Sequence, residues 1–361
     1  MYKGTGISKD QLSDDGEPCI LYGELYTKYK SETIREVISK TNIDNTKLVR
    51  SKANDVIIPC SGETAEDIAT ARCVLNGNIL LGGDLNIIRL YGYDGTFMSY
   101  QLNGKRKYDI AKVAQGVSVV HLYGEHLKGV KTINPCLTEQ KKIASLLTLL
   151  DERIAIQNKI IEDLKKLKCA IIEKVYSEIQ GKEYSYGQLF DVVNERNKQM
   201  EYSNILSASQ EKGMVNRDDL NLDIQFERSN INTYKIVRKG DYVIHLRSFQ
   251  GGFAFSDKLG VCSPAYTILR PNSILEYGYL SNYFTSQRFI KSLVLVTYGI
   301  RDGRSINVEE WLRMKITIPP KEHQQYIVKV IGTFERKIED EEAYAAQLSI
   351  QKQYLLSQMF V

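Results

Sequence analysis

The stretch Lys131-Thr-Ile-Asn-Pro135-Cys-Leu-Thr-Glu-Gln140-Lys-Lys-Ile143 returns later in the chain as Lys315-Ile-Thr-Ile-Pro319-Pro-Lys-Glu-His-Gln324-Gln-Tyr-Ile327. The two copies lie 184 positions apart, and the register holds without a gap as far as Tyr176 and Phe360. Arg153 meets Lys337, Ile154 meets Ile338, Leu164 meets Leu348 and Lys168 meets Lys352. In each copy a strand-like run and a proline lead into a long helical pattern, with Thr138 as N-cap, Glu139 in the first turn and Gly181 as the next glycine.

The apolar spacing alternates four and three. The first copy reads Ile143, Leu147, Leu150, Ile154, then Ile161, Leu164, Ile171 and Val175. The second reads Ile327, Ile331, Phe334, Ile338, then Ala345, Leu348, Leu355 and Met359. A sustained seam of this period means helix pairing. Polar residues interrupt it at matching slots, Gln157 with Glu341 and Lys168 with Lys352, a device that fixes register in other paired helices. Two separate core helices are the simpler alternative, but ~40 residues each exceeds the usual globular length.

Outward from the helices, the chain turns rich in Tyr, Ile, Val, Gly and Asn. Asp55-Val-Ile-Ile-Pro59 and Asp241-Tyr-Val-Ile-His245 read as strands, each opened by a turn, and Ile87-Ile-Arg-Leu-Tyr91 and Thr267-Ile-Leu-Arg270 read as a second pair. The expected fold is α+β, with two globular domains (1–137 and 181–320) separated by two long helices (138–180 and 321–361) that pair antiparallel as an internal repeat. Tyr184 to Val193 has no counterpart at the start of the first copy. Lys3-Gly4 aligns loosely with Lys212-Gly213, so the first domain is expected to be short at its start.

Composition narrows the class. With 361 residues, 43% apolar and 25% charged, this is an ordinary globular chain and not a disordered one. A net charge of +4 does not announce a nucleic-acid binder. No apolar run is long enough for a membrane span, and the start lacks a secretory pattern. Six scattered cysteines without a C-x-x-C pair suit reduced thiols in the cytoplasm. The four histidines lack zinc-ligand spacing. The 23 tyrosines suit wet binding surfaces, but also ordinary sheets.

This plan resembles the specificity subunit of type I restriction-modification enzymes. The residues that carry the resemblance are Pro135 to Ala144 followed by Leu150-Asp-Glu-Arg-Ile154, with Ser61 to Ile68, Gly83 to Arg89 and Gly116 to Tyr123 upstream. The second copy offers Gly299 to Asn307 and Pro319 to Gln324. Two departures stand out: Pro135-Cys136 where the family shows Pro-Pro, and Glu322-His323 where it shows Glu-Gln.

The resemblance implies two target-recognition domains, each reading half of a bipartite, asymmetric DNA target with unread bases between. It implies a helical pair that acts as spacer and as docking site for two methyltransferase subunits, with restriction subunits joining them. S-adenosylmethionine would sit in the methyltransferase, and ATP with Mg in the restriction subunit. This chain itself would hold no cofactor, no metal and no catalytic residue.

A search for chemistry agrees. Asn134-Pro135-Cys136-Leu137 misses the Asn-Pro-Pro-aromatic motif of amino-methyltransferases, and its proline suits a helix start. Gly4-Thr-Gly-Ile-Ser-Lys9 lacks phosphate-loop spacing. Glu335-Arg-Lys337 lies in the helical seam, and His121 has no nucleophile near and reads as a structural strand residue.

For DNA contact, the sequence nominates Arg247, Ser248 and Gln250 in Arg247-Ser-Phe-Gln-Gly-Gly252, and Arg301 and Arg304 in Gly299-Ile-Arg-Asp-Gly-Arg304. Arg reaches two acceptors on guanine or phosphate, a Gln amide pairs with adenine, and glycines allow close backbone approach. In the first globule it nominates Lys105, Arg106 and Lys107 as a basic hairpin-like tip. Ser61 to Thr64 is a polar edge that alternatively caps a helix through Asp67. The competing class is a coiled-coil interaction protein whose globules bind other partners. A fused restriction-methylation fragment is disfavoured by the missing Asn-Pro-Pro motif.

Overall fold

The computed structural model describes residues 1–44, 46–116, 119–209, 212–219, 228–245, 252–298 and 305–360. It falls into two compact units, Met1–Lys159 with Glu341–Val361, and Ile160–Asp340. Each unit therefore holds one globule and a part of both long helices. No helix among the described residues is long and apolar enough to cross a membrane.

The strands that build the first unit's main sheet and its loops are β1 (Tyr2–Lys3), β2 (Thr33–Ile34), β3 (Asp55–Pro59), β4 (Ser61–Gly62), β5 (Arg72–Val74), β6 (Leu85–Ile88) and β7 (Val120–His121). Five pair in the order β1-β6-β3-β5-β2, and β4 pairs separately with β7. Alternate side chains of β3 go to opposite faces: Val56 and Ile58 join a cluster with Met98 and Leu102, and Ile57 joins Ile20, Leu25 and Ile87. Burial on both faces explains why this strand reads as a continuous apolar run. Helices α1 (Gly95–Asn103) and α2 (Lys107–Lys112) follow.

In the second unit the corresponding strands are β8 (Lys182–Ser185), β9 (Phe190–Val193), β10 (Tyr242–Ile244), β11 (Phe253–Phe255), β12 (Thr267–Pro271), β13 (Thr297–Tyr298), β14 (Ser305–Ile306) and β15 (Lys315–Ile318). The central order is β9-β12-β10-β11, the order of β1-β6-β3-β5. Thus β1 holds on β6 the place that β9 holds on β12. This corrects the alignment of Lys3-Gly4 with Lys212-Gly213, because Gly213 opens a strand of a separate hairpin with Leu206–Ser209. Lys131–Asn134, expected to be strand-like, has no strand partner among the described residues. The side-chain amide of Gln101 bonds both the amide and the carbonyl of Ile133, at 2.7 Å each.

The same polar fittings recur in both units. Asn54 (φ 76°) and Gly240 (φ 94°) occupy the left-handed conformation that short polar or glycine residues tolerate. Each is followed by a buried aspartate. Asp55 accepts from the Lys52 amide at 2.8 Å and from Arg89 Nε and Nη2 at 3.0 and 2.8 Å. Asp241 accepts from the Arg238 amide at 2.8 Å and from Arg270 at 2.9 and 3.0 Å. Gln140 and Gln324, both fully buried, clamp the helix starts alike. Their Nε2 groups donate to the carbonyls of Pro135 (2.7 Å) and Pro319 (3.0 Å), and their Oε1 atoms accept from the amides of Asp94 (2.9 Å) and Glu276 (2.8 Å).

The long helices are α3 (Leu137–Ser177) and α4 (Lys321–Gln358). Within each unit they run antiparallel. Ala144 and Leu147 meet Leu356 and Phe360 in one, and Ile172 and Tyr176 meet Ile327 and Ile331 in the other. Along the seam Leu147, Ile327, Ile331, Ile338 and Leu348 are buried, and Ile143, Leu150, Ile154, Leu164 and Phe334 are half-buried. Lys352 pairs with Asp151 at 2.7 Å and Lys168 with Glu335 at 3.1 Å, the same contact in each unit by the repeat of 184. Gln157 Nε2 donates to the Glu341 carboxylate and, at 3.3 Å, to its carbonyl. Two positions equivalent in the repeat thus meet each other, as the midpoint of an antiparallel pair of repeated helices requires.

Candidate nucleic-acid interface

In the second unit, β10 and β11 form a hairpin whose connection leaves at His245 and returns at Gly252, where the His245 amide donates to the Gly252 carbonyl at 2.8 Å. A second hairpin joins β13 to β14 in the register Thr297↔Ile306. The nominated Arg247, Ser248 and Gln250 in the first connection, and Arg301 and Arg304 in the second, lie outside the described residues. The roots of the two connections are in contact. A Cβ at Gly252 would stand 3.2 Å from Ile306 Cδ1, and the φ of +60° there favours glycine. Phe253 anchors this point in an aromatic cluster with Phe284, Phe289 and Trp311. Burial lowers the pKa of His245. The structure therefore brings together Gly252 and Ile306, the described ends of the two connections, beside a buried aromatic cluster.

The first unit joins the equivalent segments directly. The chain leaving β3 forms β4, which pairs with β7 as Ser61↔His121 and Gly62↔Val120. Ser61 is buried, which leaves its hydroxyl little surface to offer a groove. Thr64 accepts from the Asp67 amide at 3.1 Å and donates to its carboxylate at 2.7 Å, capping the turn Ala65–Ile68. The polar edge expected at these positions is thus tied into the fold. Exposed here instead are residues that sequence reasoning passed over. The His121 and Tyr123 rings stack with centroids 6.2 Å apart, and the Lys3 ammonium stands 5.9 Å from the Tyr123 ring. His121 does lie in a strand, but with its side chain exposed. The missed signal was alternation, which puts His121 and Tyr123 on one side of an extended run.

Lys105, Arg106 and Lys107 are not a hairpin tip. They form the turn between α1 and α2, because Gly104 ends α1 against the backbone of Leu356 and leaves no strand to continue. Lys105 is exposed, Arg106 pairs with Asp109 at 3.4 Å and Lys107 opens α2. One turn on, Lys112 lies over the exposed Tyr108 ring at 4.4 Å. Arginine is weighted to the second globule, with 10 in 181–320 against 5 in 1–137, so the bidentate donor is available mainly there.

Burial pushes the thiols of Cys19 and Cys60 up to about 11 and those of Cys73 and Cys262 up to about 12, far from a thiolate at neutral pH. Among the described residues no three of His, Cys, Asp or Glu gather as a metal site. What the described residues offer, in each unit, is two chain connections whose ends meet beside the central sheet.

Comparison with known proteins gives the same direction. Residues 181–349 match the family described as type I restriction modification DNA specificity domain. The fold is similar to the crystal structure of a type I restriction-modification S subunit from M. genitalium, with a TM-score of 0.58 at 15% identity over 100% of this chain and 93% of that one. It is also similar to a structure described under complex assembly and conformational transition of the type I restriction-modification system, with a TM-score of 0.57 at 15% identity over 90% and 86% of the two chains. The buried Gln140 and Gln324 clamps explain how the helix starts keep their form despite Cys136 and His323. By that match residues 181–349 carry a type I restriction modification DNA specificity domain, and the chain as a whole has a fold similar to that of a type I S subunit.

Proposed function

We propose that each globule reads one half of a bipartite, asymmetric DNA target, and that the helical pair sets the number of unread bases between the halves. The observation that carries this is the duplication. Two loop roots meet at the same place in both units on a conserved frame of Asp–Arg pairs and glutamine clamps, while the loop sequences differ. One frame with two surfaces suits two different half-sites. In the second unit the Arg-bearing connections are the reading elements, and in the first they are the β4–β7 surface with His121, Tyr123 and Lys3, with Lys105 to Lys107 as phosphate contacts.

In the same reading, two methyltransferase subunits that bind S-adenosylmethionine dock on the helices and globules. Restriction subunits using ATP and Mg join them. The near-neutral charge fits a reader that relies on these partners for much of its phosphate grip. Co-expression with the partner subunits and genome-wide methylation mapping tests the proposal. Methylation at two short motifs with a fixed gap is expected, and Arg301→Ala should relax one motif only. A methylation pattern indifferent to substitutions in both loop pairs would refute it. Salt-sensitive DNA binding that needs the methyltransferase separates this reading from that of a coiled-coil scaffold for other partners.

A further inference from the structure

Helix α3 carries a second apolar stripe besides the seam that meets α4. Leu146, Leu149, Ile156, Ile160 and Leu167 keep the same alternation of three and four, and each stands one position before a residue of the seam. The stripe therefore runs about 100° round the helix from the seam. All five side chains are between 40% and 61% exposed. The two slots that complete the spacing hold opposite charges, Arg153 and Asp163, both exposed. The Arg153 guanidinium lies over the Tyr344 ring at 5.5 Å, which holds it on this side of the helix. On α4 the equivalent positions include Thr333, Asp340, Gln347 and Gln351, so the plan shared by the two helices does not require the stripe. A heptad stripe of this kind, sustained over about three heptads in contact with water, is a pairing surface.

We infer that it pairs with the same stripe of a second copy of this chain, running antiparallel. The charges decide this. In a parallel pair in register each residue meets its own copy, which sets Arg153 against Arg153 and Asp163 against Asp163. Turned antiparallel about a two-fold axis beside Asn158, Arg153 meets Asp163 of the second copy and Ile156 meets Ile160. Leu149 meets Leu167 and Leu146 meets Ala170, each layer occurring twice by symmetry. Every layer is then apolar or an ion pair of opposite sign. A shift by one heptad sets both charges against aliphatic side chains, so the same two residues fix direction and register. The exposed Lys142 and Lys174 come next and mark the ends of the stripe.

This self-pairing stands independently of which DNA, if any, the globules read. A subunit that docks on the same face has to displace the second copy first.

Sedimentation velocity of the full chain alone, over a range of concentrations, tests it. A reversible dimer is expected. Ile156→Asp alters both central layers and should weaken the dimer by at least about tenfold. Arg153→Asp alone and Asp163→Arg alone should each do the same, because like charges then face each other, and an equal mixture of these two variants should regain the dimer. Far-UV circular dichroism checks that each variant keeps its helices. A chain that stays monomeric throughout, or a dimer indifferent to these changes, overturns the inference. Failure of the mixture to regain what each variant lost overturns the antiparallel register. Loss of methyltransferase binding in the variants with self-association untouched would make that subunit the occupant and overturn the assignment to a second copy.

Discussion

Asp55 and Asp241 each close a turn and neutralise an arginine from the next strand, so one carboxylate fixes both the start of a strand and its neighbour. Arg89→Met would strand the buried Asp55, and a loss of about 3 kcal/mol is expected from urea unfolding. Asp55→Asn in the same chain should restore part of it, because the stranded charge is gone. Lys352 is held differently, against Glu32 at 2.8 Å and Asp151 at 2.7 Å. Burial pushes its ammonium pKa down, but the two carboxylates more than offset this and hold it above the ordinary lysine range. Burial holds the Glu32 carboxyl above its ordinary value despite Lys352. The Lys352 contribution is therefore complete below the unfolded lysine pKa and lost as pH rises through the folded one. Lys352→Met removes the counter-charge and raises Glu32 further, at a cost of about 3 kcal/mol near neutrality. The native variant then binds a proton that the unfolded chain releases, so its stability falls as pH rises. Melting curves should show the deficit shrinking from about pH 7 to about pH 5.

At the scale of elements, the glutamine clamps join a helix start to the globule beside it. Gln140→Ala and Gln324→Ala each leave a buried amide and carbonyl unpaired, and about 2 kcal/mol should be lost in either case. A large loss at one site with none at the other would break the equivalence of the two junctions. The long helices were legible because a 3.5-residue period is a local signal, visible in Ile327, Ile331, Phe334 and Ile338 without any tertiary knowledge. Strands β3 and β10 were legible for a similar reason, each an apolar run opened by a turn residue and Asp. Less could be read where a distant side chain replaces an expected element. Gln101 stands in for a strand beside Ile133, and Lys352 meets Glu32 from 320 positions away. The candidate site divided in the same way. The strands that bound the nominated second-unit connections were legible, but the burial of Ser61 follows from pairing with His121, which sequence spacing does not reveal.

For the whole molecule, the proposed function gives the length of the continuous helices a role. At 1.5 Å per residue, the 41 residues of α3 extend for roughly 60 Å, more than one turn of B-DNA at ~34 Å. Under the proposed function the seam converts helix length into distance along DNA, and the Gln157–Glu341 contact fixes the register of that conversion. Seven residues preserve the seam period, so a heptad inserted into α3 and another at the facing point of α4 should lengthen the pair by about 10 Å. With base pairs ~3.4 Å apart, the methylated half-sites should separate by about three more base pairs while both motifs stay the same. Inserting four residues instead rotates the seam off its partner and should abolish methylation. Methylation mapping of both variants decides the matter. An unchanged gap after the heptad insertion would mean that the helices hold the globules together without measuring the distance between their targets.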